Sequence, residues 1–375
     1  MNRIKNRIVM LQWYVPLELN HSSYIYTALV EFCKKENISF KISSKNLNYR
    51  GLITVEQNTL NFSNHFNPKV TFVQINFSNG DKKIIAFDLN DNAHFFGVYA
   101  LKHADVYFKR CYQEKIVGML PDEYRKKIKL LGLPFMVRSE RLPYLKKLQC
   151  LFYIFKIIEI FKFDRLLFKR LKLFKKKAIK HFNGFVNTRK TSDFNNFNYE
   201  VLGNIFYQKR LFEESSEDVV TLNQQRIRII KLLKNNFTNN FYGGLQENPM
   251  SKLRYPELIS NINGNPHIFL EAMKKCGICI YTNGLMYSPG WTLPEYLSQG
   301  KCIVAEPLAN KIPNPLINEE HLIYFSNDKE LIEICRELLL DKKKREVLGK
   351  NARLYYENYI SPTIFFQNLL KSNFE

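Results

Sequence analysis

Residues 288–306, Ser-Pro-Gly-Trp-Thr-Leu-Pro-Glu-Tyr-Leu-Ser-Gln-Gly-Lys-Cys-Ile-Val-Ala-Glu, place one carboxylate, Glu295, where a ligand could meet it. A Pro-Gly loop runs into a short helical segment that carries Glu295, the segment ends at Gly300, and the run Cys302–Ala305 predicts a buried strand. Loops of this kind lie at the carboxyl edge of open parallel sheets, where such sheets bind ligands. A carboxylate there suits the two hydroxyls of a ribose, because each of its oxygens accepts a hydrogen bond. The alternative is an ordinary turn of any α/β domain.

The same residues resemble the nucleotide-sugar end of GT-B glycosyltransferases. Many of these enzymes carry a Glu-x7-Glu motif followed by a small-residue helix, a glycine and a Val/Ile-rich strand. Glu295 falls on the second glutamate, which typically holds the ribose in that family, and Gly290 falls on the internal glycine. Tyr287 stands where the first glutamate would be, so the usual contact with the sugar is not matched. The resemblance covers roughly residues 200–345 and implies a donor site there.

An arginine near the start of that region extends the resemblance. Arg210 follows a predicted strand and matches the arginine that retaining GT-B enzymes place after the first strand of their C-terminal domain. The lysine that the family has five residues later is Ser215 here. The residues that would replace it are Arg226, Arg254 or Lys274, and the alternative for each is an ordinary surface cation.

Two side chains flank the predicted donor site. Trp291 offers a flat wall that would close over the sugar or the base, or else it fills the core between the domains. Glu306 directly follows the predicted strand at the same edge, although an acid before a proline is also common in loops. We expect Glu295 itself at the edge of the cleft, outside the core. The predicted donor-binding residues are Glu295, Arg210, Gly290, Trp291, Tyr287 and Glu306.

An inverting transferase also needs a base for the acceptor hydroxyl. Asp88, Asp91 and His94 lie in one loop after a predicted strand, and we favour Asp91 or His94 as that base. His21 is a second candidate, and the acids alternatively turn the chain as Asx residues. A retaining mechanism would need no such base, and the sequence leaves the stereochemistry open.

Neither a metal nor a cofactor is expected. The chain has no Asp-x-Asp triplet, so we predict metal-independent transfer in which cations and helix N-termini stabilise the leaving diphosphate. The seven cysteines are odd in number and scattered, which favours a reducing compartment over a disulfide framework. Cys276 and Cys279 form the single C-x2-C pair and are interpreted as core thiols.

The order of predicted elements indicates two α/β domains. Strands are predicted at residues 8–15, 39–43, 70–77 and 83–88, with a helix over 94–103, and a second alternating series follows residue 200. We therefore predict the GT-B fold, two Rossmann-like domains facing each other across a cleft. Residues 1–195 would bind the acceptor, residues 200–345 the nucleotide sugar, and residues 346–375 would be helices that cross back to the first domain. No apolar run is long enough for a transmembrane helix.

Positive charge is concentrated in one segment. The chain carries a net charge of +21, and residues 125–180 contain 18 lysines and arginines against three acids. Within residues 148–180 the charges recur every three or four positions between aromatic residues, which predicts an amphipathic helix lying on an anionic membrane. The alternative is a helix between domains with a solvated charged face. The predicted membrane-surface residues are Lys169, Arg170, Lys175, Lys176 and Lys177.

Together these features predict a glycosyltransferase that moves a sugar from a nucleotide-sugar donor to a lipid-linked or polysaccharide acceptor in bacterial surface glycan synthesis. We expect it in the cytoplasm, peripheral at the inner face of the cell membrane. One alternative is a polyol-phosphate or glycerophosphate transferase of the same fold. Another is a nucleic-acid-binding protein, which we do not favour because the aromatic residues of the basic segment fall on an apolar helical face.

Overall fold

The computed structural model describes residues 7–16, 18–43, 50–67, 69–140, 176, 179–197 and 202–374. Most of the predicted basic helix, residues 148–180, lies outside these ranges. Packing divides the chain into two units. Unit 1 comprises Met1–Thr191, Lys311–Pro313 and Pro362–Glu375, and unit 2 comprises Ser192–Asn310 and Asn314–Ser361. The predicted C-terminal segment 346–375 is thus divided, since its residues up to Ser361 belong to unit 2.

Unit 1 is built on a six-stranded sheet of order β2-β1-β5-β6-β8-β9, and a smaller sheet has the order β4-β3-β7. Strand β5 is antiparallel to both of its neighbours, β1 and β6, whereas the β1–β2, β6–β8 and β8–β9 pairs are parallel. The strands are β1 (Ile8–Tyr14), β2 (Ser39–Ser43), β3 (Arg50–Glu56), β4 (Thr59–Phe66), β5 (Val70–Phe77), β6 (Lys82–Asp88), β7 (Phe95–Gly97), β8 (Val106–Lys109) and β9 (Ile128–Leu130).

Helices cover the larger sheet of unit 1. The longest are α1 (Ser23–Glu36) and the C-terminal helix α12 (Pro362–Phe374), which pack on each other through aromatic rings. Tyr24 lies 4.9 Å from Phe365 between ring centroids, and Phe32 lies 5.2 Å from Phe366. The short helices are α2 (Val98–His103), α3 (Glu114–Val117) and α4 (Asp122–Arg125).

Unit 2 has a five-stranded sheet in which every pair is parallel, of order β11-β10-β12-β13-β14. Because the chain moves from β10 to β11 on one side and then to β12 on the other, the order reverses between β10 and β12, the position where such sheets bind ligands. The predicted α/β class with two Rossmann-like domains is confirmed. The strands are β10 (Leu202–Lys209), β11 (Phe241–Leu245), β12 (Cys276–Tyr281), β13 (Cys302–Ala305) and β14 (Ile323–Tyr324).

Several helices of unit 2 start at side-chain caps, and the helices bury apolar faces on the sheet. Ser216, Asn248 and Asn327 each accept a backbone N–H of the first turn that follows. At Gly349 a Cβ would lie 2.3 Å from the carbonyl oxygen of Gly300, so only glycine allows this close approach. The helices are α5 (Thr191–Asn195), α6 (Glu217–Asn236), α7 (Pro249–Arg254), α8 (Pro266–Lys274), α9 (Thr292–Ser298), α10 (Asp328–Leu340) and α11 (Lys342–Tyr355).

A fully buried ion pair organises the loop between β6 and β7 in unit 1. Asp88 and Lys109 end the neighbouring strands β6 and β8, are 0% exposed, and lie 3.0 Å apart. Tyr107 donates its hydroxyl to Asp88 at 2.5 Å, and Lys109 donates to the carbonyls of Asn92 and Phe95 at 3.3 and 2.7 Å. The backbone and side-chain nitrogens of Asn90 also donate to Asp88, at 3.0 and 2.6 Å. Asp88 is therefore a structural residue, since its buried carboxylate accepts four hydrogen bonds from within the protein.

Removing the lysine of this pair should cost far more than removing the lysine of an exposed pair of equal length. We expect Lys109→Ala to lower the free energy of unfolding by about 3–5 kcal/mol, because Asp88 would be left buried without a counter-charge. Lys83 and Asp105 are also 3.0 Å apart but solvent-exposed, and Lys83→Ala should cost about 1 kcal/mol or less. Urea unfolding of the two variants measures both values, and equal losses would contradict this account.

Candidate functional site

The carboxyl edge of the unit 2 sheet collects most of the predicted donor-binding residues. Arg210 follows β10, Tyr287 lies in the loop after β12, and Glu306 follows β13. Glu295 lies in the first turn of α9, between β12 and β13. Because all five strands are parallel, these segments meet at one edge. Whether these residues bind a donor remains a prediction.

Lys209, the last residue of β10, was not predicted as a site residue. Its Nζ lies 3.4 Å from Thr292 Oγ1 and 5.2 Å from the centre of the Tyr207 ring. Burial, reinforced by Arg226, lowers the pKa of this partly exposed lysine to about 7, while Glu306 and Glu295 act in the opposite direction. A lysine with this pKa gains and loses its proton close to neutral pH. The one available signal was its place at a strand end, beside Arg210.

Two arginines lie next to Lys209. Arg226 on α6 is 7% exposed and donates to the backbone carbonyl of Arg210 at 2.6 Å. Both guanidinium groups lie 4.7 Å from the centre of the Phe212 ring, and Asn223 holds the backbone of Phe212 by two hydrogen bonds. Burial lowers the pKa of Arg226 to about 10, so it remains charged at neutral pH. Arg210 is exposed, and its guanidinium is thereby accessible to an anion.

Glu295 corrects one expectation. We expected it outside the core, but the structure places it in the buried first turn of α9 with 3% of its surface exposed. Every residue of this short helix from Leu293 to Ser298 is buried, and Glu295 is buried with them. Its negative charge raises the pKa of Lys209, so the two side chains are close enough to interact electrostatically.

Glu306 joins helix α6 to the loop that follows β12. Its Oε1 accepts from Gln225 Nε2 at 2.6 Å, and its Oε2 accepts from the backbone N–H of Asn283 at 3.0 Å. Asn283 in turn donates to the carbonyl of Pro307 at 2.9 Å. Burial raises the pKa of Glu306. Both carboxylate oxygens thus hold the edge of the sheet together, and a ligand contact would have to share them.

The loop after β12 has an unusual backbone. Met286 and Tyr287 have φ of 53° and 55°, a left-handed conformation that non-glycine residues adopt at a cost in conformational energy. The loop is held by Gly284, which donates its N–H to the Ser288 carbonyl at 2.8 Å, and by Asn310, which donates to the Tyr287 carbonyl at 2.9 Å. The outcome is a Tyr287 side chain that is 62% exposed.

Tyr287 and Glu306 line a pocket of about 820 Å³ that lies wholly within unit 2. It follows the carboxyl ends of β12, β13 and β14 and is closed by residues of α6 and by the start of α10. Its volume is in the range of small-molecule sites. The other lining residues are Gln225, Arg228, Asn283, Pro307, Ala309, Phe325, Ser326, Asn327, Asp328 and Lys329.

Gly290 and Trp291 lie directly before α9. Gly290 donates its N–H to the hydroxyl of Tyr281 at 2.8 Å, which fixes the loop to the last residue of β12. A Cβ at this glycine would lie 3.4 Å from the Tyr281 ring, an ordinary contact distance. The structure therefore gives no steric reason for glycine here. Trp291 is half-buried.

In unit 1, Asp91 is tied to two cations. Lys69 Nζ lies 2.5 Å from one carboxylate oxygen, and an Arg110 guanidinium nitrogen lies 2.6 Å from the other. Burial alone would raise the pKa of Asp91, but Arg110 and Lys69 outweigh it and lower the pKa to about 2. A general base works best with a pKa near the working pH, so these ion pairs do not favour Asp91 as the base.

The two histidines considered as bases have different surroundings. His94 Nδ1 lies 2.6 Å from the carbonyl of Val55, which identifies Nδ1 as the donor and leaves Nε2 as the nitrogen able to accept a proton. Burial and the nearby charge of Lys69 lower the pKa of His21 to about 3, so His21 is neutral at physiological pH. Of the candidates in unit 1, His94 is the one whose contacts are compatible with a base.

Of the predicted membrane-surface residues, Lys169, Arg170, Lys175 and Lys177 lie outside the described residues, and Lys176 is helical and exposed. No helix in the described ranges is long and apolar enough to span a membrane. Nor do these ranges contain a group of three or more His, Cys, Asp or Glu that could hold a metal ion. The six described cysteines are free and buried: Cys33, Cys111, Cys276, Cys279, Cys302 and Cys335.

The lowered pKa of His21 predicts a loss of stability in acid. Between about pH 6.5 and pH 3 the unfolded chain binds a proton at His21 that the folded chain does not, so stability falls as the pH falls, by up to about 1.4 kcal/mol per pH unit. We expect His21→Gln to reduce the difference in unfolding free energy between about pH 7 and pH 5. Urea unfolding at both pH values measures it.

His65→Gln is the matched control, because it makes the same substitution at an exposed histidine on β4. An equal effect of the two substitutions, or none from His21→Gln, would show that the folded His21 titrates normally.

Comparison with known proteins gave no match to any family model and no match among curated proteins. Solved structures of similar shape do exist. The chain is 12% identical to the Anabaena protein HepE in complex with UDP and glucose, over 73% of this chain and 64% of that one, with a TM-score of 0.39. It is 14% identical to a glycosyltransferase from Rickettsia africae, over 72% and 62% of the two chains, with a TM-score of 0.38.

A third structure, from Listeria monocytogenes, is named for UDP-N-acetylglucosamine 2-epimerase; the identity is 12%, the coverage 74% and 62%, and the TM-score 0.34. The chain thus spans less than two thirds of the length of each of these three proteins. Likeness at this level concerns the general arrangement of helices and strands, and no residue role is transferred from it.

Proposed function

We propose that this protein is a GT-B glycosyltransferase whose unit 2 binds a nucleotide sugar at the carboxyl edge of its parallel sheet. The observation that carries the proposal is the grouping of Lys209, Arg210 and Arg226 where the strand order reverses, together with the carboxylate of Glu295. The cations match the charge of a diphosphate, and the carboxylate matches a ribose diol. The adjacent pocket has room for a nucleoside or a sugar.

The reaction follows from this charge distribution. The bond between the anomeric carbon and the diphosphate oxygen breaks, the acceptor oxygen forms the new bond to that carbon, and the acceptor proton passes to a base. Negative charge then grows on the leaving diphosphate, where preplaced cations stabilise the transition state more than the ground state. In an inverting reaction His94 is our candidate for the base.

For the acceptor, we propose a lipid-linked or polysaccharide chain of a bacterial surface glycan, and a location at the inner face of the cell membrane. The support is the count of 18 basic against three acidic residues in residues 125–180, together with the aromatic residues that fall on the apolar face of the helix predicted over residues 148–180. Each basic residue near an anionic bilayer adds about 1 kcal/mol of binding, so part of this segment would suffice as a tether.

A panel of nucleotide sugars tests the donor proposal. At least one of UDP-glucose, GDP-mannose, dTDP-glucose and CDP-glucose should raise the melting temperature by several degrees, because a ligand that binds only the folded state stabilises it by mass action. Transfer from that donor should continue in EDTA. A flat panel would overturn donor binding, and activity lost in EDTA and restored by Mg²⁺ or Mn²⁺ would overturn the metal-independent mechanism.

Glu295→Gln tests the ribose contact without emptying a buried site. We expect the affinity for the donor to fall at least about tenfold, while the melting temperature of the free protein changes less than in Glu295→Ala, which leaves a cavity. Glu271→Gln is the matched control, since Glu271 is exposed on α8 and pairs with Lys274. Unchanged donor affinity in Glu295→Gln would remove Glu295 from the site.

The membrane proposal is tested by sedimentation with vesicles of phosphatidylglycerol. Binding should weaken in high salt without vanishing, because screening removes the Coulomb part while aromatic burial persists. Replacing Lys169, Arg170, Lys175, Lys176 and Lys177 by Gln should reduce vesicle binding and spare transfer to a soluble acceptor. Wild-type protein that ignores these vesicles at low salt would contradict the proposal.

A further inference from the structure

We propose that Lys209 is the cation that faces the diphosphate of the donor, and that donor binding is coupled to the uptake of a proton by this lysine. The proposal rests on the proposed function of unit 2. It adds a residue that the glycosyltransferase resemblance does not assign, because the lysine expected five residues after Arg210 is Ser215. Ser215 lies in an exposed stretch beside Glu213 and Glu214, where the local charge is negative.

The position of Lys209 is the first argument. It ends β10, the strand beside the reversal of strand order, so its side chain belongs to the edge where a ligand of this sheet would lie. Within the described part of the chain, its hydrogen-bond partner is the neutral hydroxyl of Thr292 at 3.4 Å. An ammonium has three donors, so this long contact leaves donors for an anion.

The nearby carboxylates do not neutralise it as ion-pair partners. Glu306 accepts from Gln225 and from the Asn283 N–H, and the side-chain hydrogen bond of Lys209 within the described residues goes to Thr292. The charges of Glu306 and Glu295 both raise the pKa of Lys209, although neither carboxylate accepts a hydrogen bond from it. The site thus holds a cation that is partly desolvated but not paired, which is the costly arrangement that an incoming anion relieves.

The charged groups around Lys209 come from three elements. Arg226 on α6 disfavours the ammonium form, whereas Glu295 on α9 and Glu306 after β13 favour it. With burial, these leave the lysine with a pKa of about 7 in the free protein. A diphosphate bearing two negative charges would raise this pKa again. Above about pH 7 the donor must therefore bind together with a proton, and its affinity should fall by up to about tenfold per pH unit.

The other cations considered as replacements for Ser215 are otherwise engaged. Arg254 donates to both carboxylate oxygens of Glu214 at 3.0 and 2.9 Å on the surface of unit 2. Lys274 pairs with Glu271 on the exposed side of α8 at 2.9 Å. Arg226 is buried beside Lys209 and would act with it.

Isothermal titration calorimetry tests the proposal, with whichever of UDP-glucose, GDP-mannose, dTDP-glucose and CDP-glucose stabilises the protein most. These diphosphate diesters do not titrate between about pH 6 and pH 8.5, so a proton taken up in this range comes from the protein. Comparison of two buffers with different ionisation enthalpies gives the number of protons. We expect uptake near zero at about pH 6 and approaching one at about pH 8.5, with affinity at least about tenfold weaker at the higher pH.

Two variants separate charge from titration. Lys209→Arg keeps a permanent charge, so it should still bind the donor, but without proton uptake and with nearly constant affinity between the two pH values. Lys209→Gln should bind weakly at both. Arg254→Gln is the control and should behave as the wild type.

Donor binding without proton uptake, or pH dependence that persists in Lys209→Arg, would overturn the role of Lys209 and leave the donor site standing. Failure of every nucleotide sugar to bind would overturn the proposed function and this inference with it. Since Lys209→Arg retains the charge, its result decides the question even if Lys209→Gln does not fold.

Discussion

In the candidate site of unit 2, charged residues of opposite sign lie close together because the parallel strands before them all end at one edge of the sheet. Arg226, Glu295 and Glu306 lie far from Lys209 in the sequence, and each of the three shifts the pKa of this lysine. Replacement of any of these three residues should therefore change the pKa of Lys209. An anionic ligand bound at this site would likewise change the pKa of Lys209.

Unit 1 handles its buried charges in a different way. Asp88 and Lys109 form an ion pair within the core, and their further hydrogen bonds to the backbone hold the following loop. Asp91, three residues later, is likewise occupied by Lys69 and Arg110. The acids that the sequence offers as candidates for catalysis are thus engaged in ion pairs. His94 lies in the same loop and bonds to the Val55 carbonyl through Nδ1, so its Nε2 is not used in that hydrogen bond.

Much of unit 2 was predictable from the sequence, because its signals are local. The β-branched run of β13 and the glycine before it define a strand and its entry, and Gly300 has the positive φ of 58° that such a break requires. The burial of Glu295 could not be predicted, since α9 is covered by segments distant in the sequence. Lys209 was overlooked for a similar reason: its lowered pKa depends on Arg226, Glu295 and Glu306, which come from other elements.

In unit 1 the sequence predicted individual strands better than their arrangement. The turn residues Ser78-Asn-Gly-Asp81 favour a hairpin between β5 and β6. Nothing local indicates that β5 lies between β1 and β6 and runs antiparallel to both. The helix predicted over residues 94–103 begins only at Val98, because Phe95–Gly97 pairs with β3 as strand β7. The hairpin of β3 and β4 was not predicted, and its strand β3 is the one that pairs with β7.

The buried thiols have a practical consequence. Burial raises the pKa of Cys33 to about 12 and of Cys111 to about 11 in unit 1, and of Cys276 and Cys302 to about 12 in unit 2. A thiol that is buried and protonated does not react with alkylating reagents, so modification at these positions requires the surrounding unit to open. Alkylation of these cysteines would therefore report local unfolding of the unit in which each one lies. Peptide mapping after a timed pulse of iodoacetamide would report the opening of each unit separately.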